Sequence, residues 1–183
     1  MLDEYIDIWT ENGNPTGKNC LKNEAHAKGL FHPTIHIWFY TSNGDILLQQ
    51  RGAHKETFPG FWDVSVAGHV LSGESILNAA IREVQEEIGL SISETELLQI
   101  DIRKNINVHP NGINDCEFQH VFLSELKTNI ENLTIQKEEV DDITLLSLNK
   151  LNFYAQNHNE TFKLVPADYT YYHFIINQVS KML

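Results

Sequence analysis

Residues 68–90 carry charged side chains at spacings suited to binding a metal ion. The charged residues are Glu74, Arg82, Glu83, Glu86 and Glu87, and they lie between Gly68 and Gly89. Hard divalent cations such as Mg²⁺ take several carboxylate oxygens as ligands. A cation held in this way neutralises charge on phosphate oxygens and activates water for attack. The residue types therefore predict metal-assisted chemistry on a phosphate compound.

A helix would bring these carboxylates together. An α-helix advances about 100° per residue, so a helix over residues 75–88 places Glu83, Glu86 and Glu87 within an arc of roughly 100°. This arc, here called the acidic face, also receives Ala79 and Ala80, whose small side chains leave room for a ligand. A second, apolar arc is predicted to pack against the core, and it consists of Leu77, Ile81, Val84 and Ile88. Gly89 follows as a helix stop.

The acidic face is unfavourable for a helix with only a structural role. Carboxylates three and four residues apart repel one another, and the C-terminal half of a helix disfavours anions. A bound Mg²⁺ or Mn²⁺ would offset both effects. We therefore predict that the acidic face and the carbonyl of Gly68 hold one to three such cations. Arg82 is predicted to orient a metal-bound glutamate, and Glu74 to steady the loop before the helix.

The spacing of this segment resembles a known family signature. Residues 68–90 match the pattern G-x5-E-x7-R-E-U-x-E-E-x-G-U, in which U is aliphatic, at every position. The segment is similar to the signature box of the Nudix hydrolases, which cleave diphosphate bonds with a divalent metal. The resemblance implies an α/β (α+β) protein with the Nudix fold, an α/β/α sandwich around a mixed β-sheet. It also predicts that residues 1–183 form a single Nudix domain.

The resemblance implies hydrolysis of a nucleoside-diphosphate-linked or other organic diphosphate. Glu83 or Glu87 would take the proton of the attacking water. The third candidate for this role is Glu139, which resembles the position that many Nudix enzymes use. Arg51 and Lys55 lie shortly before the box and are predicted to bind the distal phosphate. The alternative for these two basic residues is ordinary solubility at a strand end.

Aromatic side chains are predicted to contact the group attached to the diphosphate. The candidates are Trp38, Phe39, Phe58, Phe61 and Trp62. Trp62 is the one that we assign to substrate binding. These rings suit a nucleotide base or an isoprenoid chain equally well. Aromatic residues at such spacing more commonly form the core.

A second set of residues resembles the type I isopentenyl-diphosphate isomerases, a branch of the same superfamily. The resemblance covers residues 3–148, and its matching pieces are segments 15–17, 25–26, 47–51, 58–62, 65–69 and 138–140, with His32 and Lys55. Those isomerases hold a divalent metal with three histidines and two carboxylates. The corresponding residues of this chain are His26, His32, His69, Asp115 and Glu117. Such a set suits Zn²⁺, Mn²⁺ or Fe²⁺ better than Mg²⁺.

The second metal site has alternatives. Aligning His26 requires a one-residue gap, and Asp115 stands where the isomerases carry Glu. His36 and His120 compete for places in the cluster. A histidine beside a phosphate site also serves well as a hydrogen-bond donor to the substrate.

Two departures argue against isomerase chemistry. The isomerases need a cysteine just before the Gly-His of segment 65–69, and this chain has Ala67, whose methyl group transfers no proton. The isomerases also keep only the last glutamate of the box, whereas Glu83 and Glu86 are both present here. The prediction is a hydrolase on an isomerase-like frame. The alternatives are an isomerase-like enzyme and a non-catalytic Nudix ligand-binding module.

Composition narrows the range of partners. The 183 residues have a net charge of −12 and no basic stripe, which argues against a nucleic-acid polymer but not against a small anion bound through metal. No apolar run is long enough to span a membrane, so we expect no membrane partner and a cytoplasmic location. Cys20 and Cys116 are predicted to be free thiols. A homodimer is left open.

The pattern along the chain predicts the elements that must position these residues. Strands are predicted at residues 4–9, 34–41, 46–51, 61–70, 96–108, 117–126 and 143–148. Helices are predicted at residues 21–28, 75–88, 151–157 and 168–182. Turns are predicted at residues 12–17, 43–44 and 110–112.

Overall fold

A computed structural model describes residues 4–157 and 159–183. The strands are β1 (Tyr5–Trp9), β2 (Pro15–Leu21), β3 (His32–Tyr40), β4 (Asp45–Arg51), β5 (Trp62–Asp63), β6 (Val66–His69), β7 (Leu98–Val108), β8 (Asn114–Glu125) and β9 (Val140–Ser147). The helices are α1 (Lys22–Lys28), α2 (Ile76–Ile88), α3 (Leu148–Gln156) and α4 (Tyr169–Ser180). None of the helices in the described part of the chain has both the length and the apolar character needed to cross a membrane.

A mixed sheet forms the centre of the fold. Its strands run in the order β5-β4-β3-β8-β7, with β6 paired to β3 and β9 paired to β4. β3 and β8 are parallel, starting with His32 opposite Glu117, and the other pairings are antiparallel. β1 and β2 form a separate antiparallel ribbon. The parallel pair at the centre brings the start of β3 beside the start of β8.

Two apolar cores lie on opposite faces of the sheet. Alternate side chains of a strand point to opposite faces, so Ile35 and Ile37 of β3 pack toward α2. Trp38 of the same strand packs on the other side, with Tyr172 and Ile175 of α4. Helices therefore cover both faces, and the predicted α/β/α sandwich around a mixed sheet is confirmed.

Most predicted elements are present, with shifted ends. The predicted strand over residues 61–70 is interrupted and forms β5 and β6. β2 was not predicted, because its sequence begins in a turn-rich segment. α3 begins earlier than predicted because the side chain of Ser147 accepts a hydrogen bond from the backbone N–H of Lys150. Such a cap satisfies a donor that would otherwise have no partner in the first turn.

The buried face of α2 differs from the predicted apolar arc. The buried residues of α2 are Ala79, Ala80, Val84, Glu87 and Ile88. Leu77 and Ile81 are only partly buried. The small alanines allow α2 to lie close to the sheet, where the Glu87 carboxylate meets the backbone N–H of Ala67 at 3.2 Å. Hydrogen bonding makes burial of this acid possible. The buried side of α2 therefore includes Glu87 of the acidic face, whereas Leu77 and Ile81 of the predicted apolar arc lie at its margin.

Two isoleucines of α2 test this arrangement. Ile88→Ala should lower the free energy of unfolding by about 2–5 kcal/mol, because Ile88 is fully buried and its removal leaves a cavity. Ile81→Ala should cost less than about 1 kcal/mol, because Ile81 lies at the margin of the core. Urea denaturation of both variants measures the difference. Equal losses of unfolding free energy in the two variants would support the predicted apolar arc instead.

Candidate functional site

Arg82 joins the acidic residues of the box. Its Nε and Nη2 atoms donate to the two oxygens of Glu74 at 3.0 and 2.9 Å. Its Nη1 atom donates to Glu83 at 2.8 Å and to Glu86 at 3.0 Å. Glu74 also accepts from the backbone N–H of Leu71 at 3.1 Å, so it ties the loop before α2 to the helix. The arginine therefore fixes two carboxylates of the acidic face.

Gly68 of β6 lies directly against Glu83. A Cβ atom at position 68 would lie 2.1 Å from the Cδ atom of Glu83, which no pair of non-bonded carbons tolerates. Only glycine fits here without moving the carboxylate. Burial raises the pKa of Glu83 to about 7, against the opposing charge and hydrogen bond of Arg82, and the charge of Glu86 adds to the rise.

Glu87 is the most deeply buried acid of the acidic face. It is 4% exposed, and its Oε2 atom accepts hydrogen bonds from Nε2 of Gln49 at 3.0 Å and from the backbone N–H of Ala67 at 3.2 Å. Burial, followed by the charge of Glu83, raises the pKa of Glu87 to about 8, although Lys55 opposes the rise. Gln49 was missed by the sequence analysis, although its strand position already directed it toward α2.

Lys55 and Glu139 meet beside the acidic face. They form an ion pair, and Lys55 is close enough for its charge to lower the pKa of Glu87. Glu86 is the exposed member of the acidic face, with 50% of its side chain accessible. The ion pair of these two residues therefore lies beside the box, with the Lys55 charge acting on Glu87.

Arg51 and Trp62 are used by the fold. The guanidinium of Arg51 donates to the carbonyl and the hydroxyl of Thr57 at 3.0 and 3.1 Å, and to Asp63 at 2.9 Å. Trp62 is 9% exposed and stacks on Phe162, with ring centroids 5.0 Å apart. In this structure both side chains have partners within the chain, and their predicted contacts with substrate stay predictions. The sequence did not reveal that both side chains already have partners.

Three of the predicted histidines form a cluster, called here the His cluster. One ring nitrogen from each of His26, His32 and His69 lies within 4.8 Å of the others. The Nε2 atoms of His26 and His69 are 3.2 Å apart. Nδ1 of His32 donates to the carbonyl of Leu30 at 2.8 Å, while its buried Nε2 has no hydrogen-bond partner among the described residues. A lone pair in this position is suited to a metal ion.

The protonation states of the His cluster also suit a metal ion. Burial lowers the pKa of His32 to about 4, and it lowers the pKa of His26 and of His69 as well. Neutral imidazoles are the form that binds metals. The two competing histidines lie elsewhere, because His36 bonds to Tyr171 and His120 bonds to Gln99.

The predicted carboxylates of the second site, Asp115 and Glu117, lie outside the group of mutually close ligand atoms that the three histidines form. Oδ1 of Asp115 lies 3.9 Å from Nε2 of His26, and its Oδ2 atom accepts from Nε2 of His109 at 2.7 Å. Glu117 accepts from Gln119 at 2.8 Å. Burial, followed by the charge of Asp115, raises the pKa of Glu117 to about 7. His109 was missed because the turn at residues 110–112 was predicted without the direction of the side chain before it.

β6 separates the acidic face from the His cluster. Val66 packs in the core beneath α2, and Gly68 touches Glu83 of that helix. Ala67 packs against the opposite core, and His69 joins the His cluster. Alternation along a strand thus places the two candidate centres on opposite faces of the same four residues.

Comparison with known proteins places the chain in a family. The NUDIX domain family matches residues 30–167. An uncharacterised Nudix hydrolase of Clostridium acetobutylicum is 35% identical over 86% of this chain and 76% of that protein. An isopentenyl-diphosphate Delta-isomerase of Shigella boydii is 35% identical over 78% of this chain and 76% of that enzyme. A crystal structure from Deinococcus radiodurans aligns with a TM-score of 0.67 at 18% identity, over 97% of this chain and 98% of that one. The chain therefore belongs to the Nudix hydrolase family.

Proposed function

We propose that the chain hydrolyses an organic diphosphate with Mg²⁺ or Mn²⁺ bound at the acidic face. The ligands are Glu83, Glu86, Glu87 and the carbonyl of Gly68. The observation that carries this assignment is that the carboxylates of Glu83 and Glu87 are buried close to each other, and this burial raises the pKa of both. The donors to Glu87 are neutral amides. A divalent cation would offset the unfavourable burial of these acids.

The acidic face is preorganised for its cation. Arg82 fixes Glu83 and Glu86 before any substrate arrives, so the carboxylates need no rearrangement during the reaction. Gln49 and the backbone of Ala67 both donate hydrogen bonds to Oε2 of Glu87, which leaves Oε1 to bind the cation. When bound, the cation supplies charge neutralisation at the diphosphate and a lower pKa for the attacking water.

Two residues outside the box complete the mechanism. Glu139 accepts the proton of the attacking water on its carboxylate, since Glu83 and Glu87 are buried and committed to the cation. Lys55 contacts the terminal phosphate and exchanges its ion pair with Glu139 for that contact. The side chain of Lys55 is 28% exposed and that of Glu139 is 37% exposed, so a substrate can reach both.

The substrate is a small molecule that consists of a diphosphate and an organic group. Nucleoside-linked and other organic diphosphates are both compatible with the acidic face, because the cation held there contacts only the phosphates. The organic group attached to the diphosphate does not stack on the face of Trp62 that packs against Phe162. Residues 1–183 act together as one Nudix domain in this proposal.

The His cluster forms a second cation centre. Its support is the buried Nε2 atom of His32, which has no hydrogen-bond partner among the described residues. An unsatisfied buried polar atom costs about 1–3 kcal/mol, and a bound Zn²⁺, Mn²⁺ or Fe²⁺ would remove that cost. His26 and His69 complete the nitrogen ligands. Asp115 and Glu117 are the carboxylates of the set.

Isomerisation of isopentenyl diphosphate is the second candidate function. It is favoured by the His cluster and by the 35% identity with the Shigella boydii isomerase. Ala67 argues against it, because a methyl group stands where the isomerases need a thiol. The side chain of Ala67 packs into the apolar core on the face of β6 that carries His69. Hydrolysis is therefore the function that the acidic face supports best.

Removal of the carboxylates should abolish turnover without unfolding the chain. Glu83→Gln and Glu87→Gln should each lower kcat by about 10²-fold or more, because a neutral amide is a poor ligand for Mg²⁺. Gln at position 87 can still accept from Gln49 and Ala67, so circular dichroism should be unchanged. Release of phosphate or nucleoside monophosphate from a panel of diphosphates, with and without chelator, measures the effect.

Glu131→Gln is the control for these variants, because Glu131 is an exposed acid outside the site. It should keep full activity. Unchanged turnover in both Glu83→Gln and Glu87→Gln would remove the metal assignment. An absence of turnover by the native chain with every divalent metal would favour a ligand-binding module instead.

Gly68→Ala should damage the acidic face through Glu83. The added methyl group collides with the carboxylate of Glu83, so kcat should fall about as far as in Glu83→Gln. In a Glu83→Ala background the methyl group gains space, and Gly68→Ala should have little further effect. Steady-state kinetics of the two single variants and the double variant provide the cycle. Additive losses would show that Gly68 acts independently of Glu83.

The native chain should not isomerise isopentenyl diphosphate. Loss of one acid–base group typically costs about 10²- to 10⁴-fold, and here the missing thiol is required for the proton transfer. Incubation in deuterated water should yield neither the dimethylallyl product nor deuterium incorporation. Ala67→Cys is the converse variant and should restore a trace of isomerisation. Robust isomerisation by the native chain would overturn the assignment.

A further inference from the structure

His109 and Asp115 form a buried pair at the edge of the His cluster. His109 ends the segment that leads from β7 into the turn before β8, and it is 8% exposed. Its backbone is fixed at both polar atoms, since its N–H donates to the carbonyl of Ile113 at 2.8 Å and its carbonyl accepts from Gly112 at 3.0 Å. The ring of Phe58 packs edge-on against the imidazole at 5.3 Å. The imidazole is therefore held in place from several sides.

The two oxygens of Asp115 have different neighbours. Oδ2 accepts from Nε2 of His109 at 2.7 Å, whereas Oδ1 lies 3.9 Å from Nε2 of His26. Ligands of one cation lie roughly 3–4 Å apart when each bond is about 2.1 Å long. The separations of Asp115 from His26, and of His26 from His69 at 3.2 Å, both fit this range. Oδ1 thus faces His26 at the edge of the His cluster, and Oδ2 is occupied by His109.

We propose that His109 is a positioning residue that holds Asp115 as a ligand for a cation in the His cluster. The inference rests on the second cation centre proposed above. Aspartate is one methylene group shorter than glutamate, so its reach toward the cation depends more closely on how the carboxylate is turned. A hydrogen bond to a ligating carboxylate fixes that orientation, and its loss typically costs 10- to 100-fold in metal affinity.

Glu117 gives a contrast within the same set. Its carboxylate is held by Gln119, and its hydrogen-bond partners are side-chain amides. Asp115 is held by the imidazole of His109, which lies before the turn between β7 and β8. The role of His109 is therefore specific to Asp115. A merely structural role for the pair would alter the stability of the turn, whereas a positioning role alters the affinity of the His cluster for its metal.

Two variants of His109 separate these roles. His109→Phe keeps a planar ring against Phe58 and removes the donor. His109→Gln keeps an N–H donor near the position of Nε2. In the chain of residues 1–183, with saturating Mg²⁺ to fill the acidic face, Co²⁺ affinity is measured from its visible absorption. His109→Phe should weaken Co²⁺ binding about 10- to 100-fold, and His109→Gln should remain within a few-fold of the native value.

The matched control is His120→Phe, because His120 is also buried and hydrogen-bonded but lies outside the His cluster. It should leave Co²⁺ affinity unchanged. In an Asp115→Asn background, His109→Phe should have no further effect on Co²⁺ affinity. Thermal unfolding of each variant without metal shows any purely structural loss, which is compared with the loss in affinity.

The outcomes distinguish this inference from the proposals on which it depends. Native Co²⁺ affinity in His109→Phe, together with loss of binding in His69→Ala, would overturn the role of His109 and leave the second centre standing. Equal Co²⁺ binding by the native chain and His69→Ala would overturn the second centre and this inference together. Diphosphate hydrolysis with Mg²⁺ is measured separately on the native chain, and its absence would count against the acidic face alone.

Discussion

The contact between α2 and β6 is the interaction on which both candidate centres depend. Three consecutive residues of β6 each meet a different residue of α2, in the pairs Ala67 with Glu87, Gly68 with Glu83 and His69 with Arg82. The first pair uses a backbone N–H, the second a missing side chain and the third a backbone carbonyl at 2.9 Å. The backbone of β6 therefore sets the distance and rotation of the helix, and with them the positions of the carboxylates.

Since these contacts use the backbone of β6, its side chains remain available for a different purpose on the other face. The imidazole of His69 reaches the His cluster while its carbonyl supports Arg82. A carboxylate centre and a nitrogen-rich centre thus share one strand without sharing a side chain. The two centres suit different cations, because oxygen ligands favour Mg²⁺ and imidazoles favour softer metals. If both proposed centres are occupied, one small domain would hold the cation for the diphosphate and the second cation separately.

The sequence predicted that Arg82 would lie beside glutamates of the box, because a fixed spacing on a helix leaves few arrangements for them. It predicted the buried arc of α2 less well, because hydrophobicity does not show that Gln49 and Ala67 make the burial of Glu87 tolerable. The predicted contact of Arg51 with substrate stays a prediction, and the intramolecular partners of its guanidinium could not be foreseen for a related reason. Its charge is visible in the sequence, but the partners that use its donors come from the folded loop.

Ala67 and Asp115 are two positions at which the side of β6 that carries the His cluster differs from the set implied by the resemblance to the isomerases, and they change different properties. Ala67 removes a proton-transfer group but keeps the backbone N–H that supports Glu87. Asp115 keeps its charge with a shorter reach, and His109 holds its second oxygen. If the proposed second centre holds a cation, this side of β6 would keep its cation-binding groups without the thiol that transfers a proton. The proposed cleavage of the diphosphate would then fall to the carboxylates across β6.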